Sequence, residues 1–407
     1  VRPLDELLLV ERAYVFKAGV EAALLERLDH AVRFSYLPSY LASNGRAVAT
    51  TLPVSDAPVT THAPGALPPF FSGLLPEGRR LSALQRAAKT SADDEFTLLL
   101  AVGGDVIGDV QIVPEGEAPP VEVDPRLSVD DWGSVDFGKL FAASVARAAD
   151  IDRVGLAGVQ DKISARMMTV PVAMRGHRFF LKLNPPEFPH LVENEAFFLA
   201  AARKSGLDTA DAWIVEDATG ATGLCVRRFD RTVDSAGVSI PMAQEDACQV
   251  LGRYPADKYR LTTEDVIRAL SALCRAQPVA ALNLLTQFAF AYLTLNGDAH
   301  GKNFSIQFLP TGEWRVTPAY DLPSTYPYGD TTMALTVNGS RKEDIGRKDF
   351  LELAASVGLR PRSVERRLDQ LLDAVPLWVD DLDGLPFDGR TLHTLKRAVR
   401  YRKDRLA

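Results

Sequence analysis

The spacing of apolar positions changes character several times along the chain. In residues 1–115 it alternates. Tyr14-Val15-Phe16 and the run Ala31 to Tyr36 read as strands, and a Pro/Thr-rich stretch from Leu52 to Pro69 separates them from a helical region that opens at Phe70-Phe71. Asp94 to Val102 reads as a second helix closed by Gly103-Gly104, followed by a strand from Val106 to Val113. Residues 116–150 begin rich in Pro, Glu and Asp, the composition of a linker, and end in a short helix from Gly138 to Ala149. In residues 151–245 strands return: Ile163 to Val170, Arg178 to Leu183, Ala212 to Glu216 and Gly223 to Phe229. One helix interrupts them, opened by Glu193-Asn194-Glu195 and stopped by Gly206. From Asp246 to the end, residues 246–407, the pattern is helical with a single hairpin inside it. The expected fold is α+β, with an α/β N-terminal subdomain, a strand-rich second region and a mostly helical C-terminal lobe.

The sharpest break in the pattern falls at Asn296. A buried apolar run from Phe288 to Leu295 gives way to Asn296-Gly-Asp-Ala-His-Gly-Lys-Asn303. Asp298 and Asn303 have the spacing of a phosphotransferase catalytic loop, where an aspartate accepts the proton of the attacking hydroxyl and an asparagine five residues on holds a metal ion. A carboxylate suits the proton, an amide oxygen is a hard ligand for Mg²⁺, and Lys302 between them can neutralise charge on a transferred phosphoryl group. His300 can order the loop. A polar turn after a core helix has the same residue types, so the spacing gains force from the segment after Asn303.

Phe304 to Phe308 alternates, Pro310-Thr311-Gly312 turns, and Trp314-Arg315-Val316 returns to Tyr320-Asp321. Such a hairpin brings Asp321 back beside Asn303, so that the two can share Mg²⁺. Upstream, Val154-Gly155-Leu156-Ala157-Gly158-Val159-Gln160-Asp161-Lys162 is a glycine-containing loop of the kind that covers ATP phosphates, and Lys182 on the strand after it can pair with phosphate oxygens. Glu195, inside the next helix, is placed to orient that lysine, whereas Glu193 complements the helix N-terminus. Gln244, Glu245 and Asp246 lead from the strands into the helices as a hinge between two lobes would.

Composition bounds this picture. The 407 residues are 46% hydrophobic and 24% charged, as in an ordinary globular protein, and a net charge of −7 argues against a large basic nucleic-acid surface. Three scattered cysteines with no histidine at metal-ligand spacing suggest reduced, buried thiols in a cytoplasmic protein. No apolar run approaches the length of a membrane span, and no signal peptide is evident. The basic cluster Lys396, Arg397, Arg400, Arg402, Lys403 and Arg405 reads as a solvated helix face.

Taken together and in order, the Asp298-x-His-x-Lys-Asn303-Phe-Ser loop, Tyr320-Asp321-Leu-Pro-Ser, Ala157-Gly158-Val-Gln160-Asp-Lys162, Gln244-Glu245-Asp246 and Phe70-Phe71 to Leu75-Pro76 resemble the HipA family of serine/threonine-kinase toxins over nearly the whole chain. The resemblance implies a two-lobed protein-kinase-like fold with a docked N-terminal subdomain, and a protein kinase dependent on ATP and Mg²⁺. It implies Asp298 as base, Asn303 and Asp321 at the metal, Lys182 on ATP phosphate, the loop 154–162 over the nucleotide and Gln244 to Asp246 at the adenine. The implied partners are a protein substrate from translation, such as an aminoacyl-tRNA synthetase, and a HipB-like helix-turn-helix antitoxin through which DNA is reached. One position departs from the family. The phosphate loop there commonly carries a serine whose autophosphorylation ejects the loop, and Gly155 stands in its place, so that brake is either missing or moved to another hydroxyl.

Two other readings share parts of this pattern. A small-molecule phosphotransferase uses the same loop, but the sequence has no obvious acidic lid to recruit a cationic acceptor. A non-catalytic co-repressor with a vestigial nucleotide site would not need Lys182, Asp298, Asn303 and Asp321 together.

Overall fold

Strands β1 (Arg12–Lys17), β2 (Val20–Leu28), β3 (Ala31–Tyr36), β4 (Val59–Thr60) and β5 (Val110–Pro114) form an antiparallel sheet in the order β4-β3-β2-β1-β5. The structure is a computed structural model, which describes residues 2–62, 66–120, 127–129, 131–146, 167–174, 177–233, 239–341 and 344–407. Alternation alone does not reveal β2, because Ala22, Ala23, Leu24 and Leu25 are all buried in succession. A tight turn feeds it, with Ala18 and Gly19 both at positive φ (49° and 78°), the geometry that two-residue hairpins favour. The last strand starts at Val110 rather than Val106. Helices Pro69–Ser72, Gly78–Ala88 and Glu95–Val102 cover the sheet; Asp94 caps the third by accepting from the Thr97 N–H at 3.2 Å. Leu25, Phe34, Phe71, Phe96 and Leu99 lie in the core of this unit.

A second five-stranded sheet has the order β6-β7-β8-β10-β9, from β6 (Leu127–Ser128), β7 (Met168–Met174), β8 (His177–Leu183), β9 (Ala212–Glu216) and β10 (Thr222–Arg227). Its inner face is packed by Phe179, Leu181, Leu183 and Cys225. A small hairpin, β11 (Arg231–Val233) with β12 (Ser239–Pro241), leads to β13 (Gln244–Asp246). That strand pairs with the hairpin β14 (Ser305–Phe308) and β15 (Trp314–Val316), opposing Gln244 to Gln307 and Asp246 to Ser305. The hairpin in the helical half is therefore the rest of a three-stranded sheet begun at the hinge.

Around it stand helices Thr263–Leu273, Gln277–Leu293, Arg347–Ser356, Pro361–Ala374 and Gly389–Leu406. Gln277–Leu293 is buried continuously from Leu284 to Leu293, as a central helix must be. The largest cluster of buried apolar side chains crosses residue 245: Phe198 and Leu199 of the helix Leu191–Lys204 join Phe290, Leu371 and Trp378 of the helical part. At the end of the last helix several of the basic side chains are engaged within the chain. Lys396 pairs with Asp383 (2.5 Å) and Arg400 with Asp380 (2.9 Å), while Arg402 is buried over the Tyr292 ring. The three cysteines are unpaired and buried. No helix among the described residues is long and apolar enough to cross a membrane.

Candidate active site

β8 alternates faces, so Leu181 and Leu183 enter the sheet core while Phe180 and Lys182 look into a cleft between the sheet and the helical part. Phe180, Lys182, Glu195, Gln244, Asn303 and Asp321 line that cleft. Part of its wall comes from the N-terminal unit, through Gly73, Leu74, Glu77 and Arg80.

The Lys182 ammonium donates to both carboxylate oxygens of Glu195, at 2.7 and 2.9 Å, and to Asp321. Burial alone would lower this lysine, but the two carboxylates outweigh it and raise it, so it stays charged. Burial raises Glu195 against the pull of Lys182, and the charge of Asp321 adds to the rise. Two acids, one buried and one half-buried, share one ammonium. Glu193 points elsewhere, accepting from Asn184 at 3.1 Å and Thr222 at 2.5 Å.

The central helix ends at Leu293 and the chain reverses sharply, with Leu295 held at φ 55°, a left-handed conformation costly for a bulky side chain. Asn296, fully buried, then ties the site together. Its side-chain oxygen accepts from the Asp298 N–H at 3.0 Å, and its amide donates to the Asp321 carbonyl at 3.2 Å. A Cβ at Gly297 would lie 2.6 Å from an Asp330 carboxylate oxygen, so a larger residue there would push that side chain aside. The Asp298 carboxylate accepts from the Tyr259 hydroxyl and is nearly buried, and the His300 ring packs edge-on against Tyr259 with centroids 5.0 Å apart. Asn303 accepts from the His300 N–H at 3.1 Å and donates to Asp321 at 3.1 Å. The hairpin thus returns Asp321 to Asn303. Asp321 itself has φ 52°, a strained backbone at the point where the chain delivers this carboxylate.

One of the expected site residues is turned from the cleft, and another lines it with its ammonium already engaged. Glu245 faces away from the cleft, because alternate residues of a strand point to opposite sides. It accepts from the Thr50 N–H at 2.9 Å and hydroxyl at 2.6 Å, while its neighbours Gln244 and Asp246 line the cleft. The Lys302 ammonium, placed by spacing beside a transferred phosphoryl group, is buried and bonded to the Gly73 carbonyl at 2.9 Å and to Asp246 at 3.0 Å. Asp246 also caps the next helix, accepting from Gln249 N–H at 2.9 Å. Positions 154–162, from Val154 to Lys162, lie outside the described residues.

Four contributors are not apparent from the sequence. Tyr259 and Asn296 hold the loop. Asn194, fully buried next to Glu195, forms a pair of 2.9 Å bonds with the backbone N–H and carbonyl of Ser324. Glu77 comes from a unit more than two hundred residues from the loop. Asn194 has a local signal as a polar residue on an apolar helix face, and Asn296 stands at the break in the apolar run.

The fold is of the two-lobed, kinase-like α+β class. The model of the HipA N-terminal domain matches residues 13–113, and that of the HipA-like C-terminal domain residues 154–379. The chain belongs to the HipA family. A Sinorhizobium fredii protein named as a candidate kinase, Y4mE, is 31% identical over 81% of this chain and 83% of its own. The serine/threonine-protein kinase toxin HipA of Shewanella oneidensis is 29% identical over 77% of this chain and 78% of its own. Among solved structures, one of Shewanella oneidensis HipA with HipB and its operator DNA superposes with a TM-score of 0.76 at 21% identity, covering 97% of both chains.

Proposed function

We propose that this chain is a serine/threonine protein kinase dependent on ATP and Mg²⁺, and that it acts as the toxin of a HipBA-type pair. The observation that carries the proposal is the meeting of Asn303 and Asp321, 18 residues apart, at 3.1 Å beside the Lys182–Glu195 pair. A structural turn has no need of two acids on one ammonium next to an amide–carboxylate contact.

The donor set suits the metal. Mg²⁺ is held by one or two protein oxygens and completed by phosphate and water; Asp321 would supply one, and the Asn303 oxygen, which accepts from the His300 N–H while the amide nitrogen faces Asp321, would supply the other once the amide turns toward the ion. When bound, the ion would offset charge on the nucleotide phosphates. Lys182, kept charged and oriented by Glu195, binds phosphate oxygens. Gln244 and the β13 backbone lie on the wall where the base would sit. Asp298, steered by Tyr259, accepts the proton of the incoming serine or threonine hydroxyl as its oxygen bonds to the γ-phosphorus. The bond from that phosphorus to the bridging oxygen breaks, and ADP leaves. Lys302 acts on the loop instead of on the phosphoryl group.

The partner side of the proposal draws on the names of the relatives: a kinase toxin, and a complex with HipB and operator DNA. It holds that a helix-turn-helix antitoxin binds this chain, that DNA is reached through that antitoxin, and that the phosphorylated protein is a component of translation such as an aminoacyl-tRNA synthetase. The test is phosphoproteomics of cells expressing the wild type against Asp298→Asn. The proposal expects one dominant phosphoserine or phosphothreonine that depends on Asp298, with transfer reduced by about 10²–10⁴-fold in vitro. No difference between the two strains would overturn it.

A further inference from the structure

Four charged side chains meet under the catalytic loop, and they come from different parts of the chain. Glu77 belongs to the N-terminal unit, Asp246 to β13, Lys258 to the segment before the helix Thr263–Leu273, and Lys302 to the loop itself. Lys258 contacts Glu77 at 2.5 Å and Lys302 contacts Asp246 at 3.0 Å, with Glu77 a further 3.8 Å from Lys302. All four side chains are at least nine-tenths buried, Lys258 completely. Two cations and two anions balance, so removal of any one strands a charge away from water.

We propose that Glu77 is a positioning residue for the catalytic loop, and that through it the N-terminal unit forms part of the phosphotransfer machinery. The path is short. Lys258, whose ammonium Glu77 neutralises, accepts from the Gly301 N–H at 3.1 Å with its carbonyl. Its neighbour Tyr259 donates to Asp298 and packs against His300. Gly301 is closely surrounded, since a Cβ there would come within 2.5 Å of Leu261 and 3.0 Å of Cys248. On the other side, Lys302 reaches into the N-terminal unit at the Gly73 carbonyl. The loop is thus gripped at residues 298, 301 and 302 by contacts that lead back to residues 73–77. The effect on catalysis rests on the kinase reading; the hold on the loop does not.

The test is hydrogen exchange on the full chain, with steady-state kinetics alongside. In Glu77→Gln, amides of residues 296–304 should exchange about tenfold faster while those of the helix Pro361–Ala374 keep their protection. kcat should fall about tenfold, with KM for ATP changed far less. The double variant Glu77→Gln with Lys258→Met, which restores charge balance, should recover much of the loop protection, and it serves as the test if the single variant does not fold. Wild-type exchange at 296–304 in Glu77→Gln, an equal rise throughout the chain, or a double variant no better protected than the single would each overturn the proposal. If the wild type transfers no phosphate, the kinase reading fails while the exchange result still decides whether Glu77 holds the loop.

Discussion

The Tyr259 hydroxyl donates to one carboxylate oxygen of Asp298 and so fixes the direction of that side chain. Burial and the Asp298 charge raise the phenol well above its ordinary range, so it remains a donor at any working pH. Tyr259→Phe removes the hydrogen bond and keeps the ring against His300. The expected result is a drop in kcat of about tenfold, the worth of one charge-assisted hydrogen bond, with KM for ATP little changed. Steady-state kinetics at several ATP concentrations checks it, and unchanged kcat would mean that Asp298 is oriented by other contacts.

Asn194 couples the helix carrying Glu195 to the segment after Asp321. Asn194→Ala leaves the backbone N–H and carbonyl of Ser324 buried without this partner, at a cost of about 1–3 kcal/mol. Urea unfolding should show the loss. Because Glu195 and Asp321 both contact Lys182, phosphate transfer should fall beyond what the lost stability explains.

Thr50→Val tests the direction of Glu245. The hydroxyl bond to its carboxylate disappears, so stability should fall by about 1–3 kcal/mol while KM for ATP stays within experimental error. A large rise in KM would return Glu245 to the nucleotide side.

Asp230 gives a pH signature. Burial alone would raise its carboxyl, but the guanidiniums of Arg228 and Arg231 outweigh burial and hold it down to about 2 against an ordinary 3.8. Both arginines also bind Asp105, at 2.9 and 2.6 Å, so this cluster fastens the N-terminal unit to the second sheet. For a depressed acid the stabilisation is complete above the unfolded value and is lost as pH falls through the folded one. The contribution, on the order of 2 kcal/mol, should therefore be full at pH 7 and fade between pH 4 and about 2. Unfolding free energies across that window should converge for the wild type and Asp230→Asn.

Much of the site can be read locally. The hairpin after Asn303 announces its own return through alternation and a Pro-Thr-Gly turn, which is why Asp321 can be matched to Asn303. Lys182 and Glu195 follow from a strand and a helix adjacent in sequence. The hidden part depends on which elements meet across long stretches of chain. Alternation says that Glu245 opposes Gln244 and Asp246, but not which side is the cleft. Lys302 looks catalytic by spacing, and its true neighbours, Gly73 and Asp246, lie 229 and 56 residues away. Strand β2 is invisible to alternation because its middle, Ala22 to Leu25, is apolar and buried on both faces and so sets no period.

β13 is only three residues long, yet it opposes Ile306 through Glu245 and carries cleft and docking contacts on alternate sides. Sliding it by one position would aim the wrong side chain at every neighbour, with no intermediate fit. Insertions and deletions should accordingly be tolerated poorly between Met242 and Ala247, however freely the surface elsewhere accepts them. Homologous chains can be sorted by whether they preserve this spacing as well as by their catalytic residues.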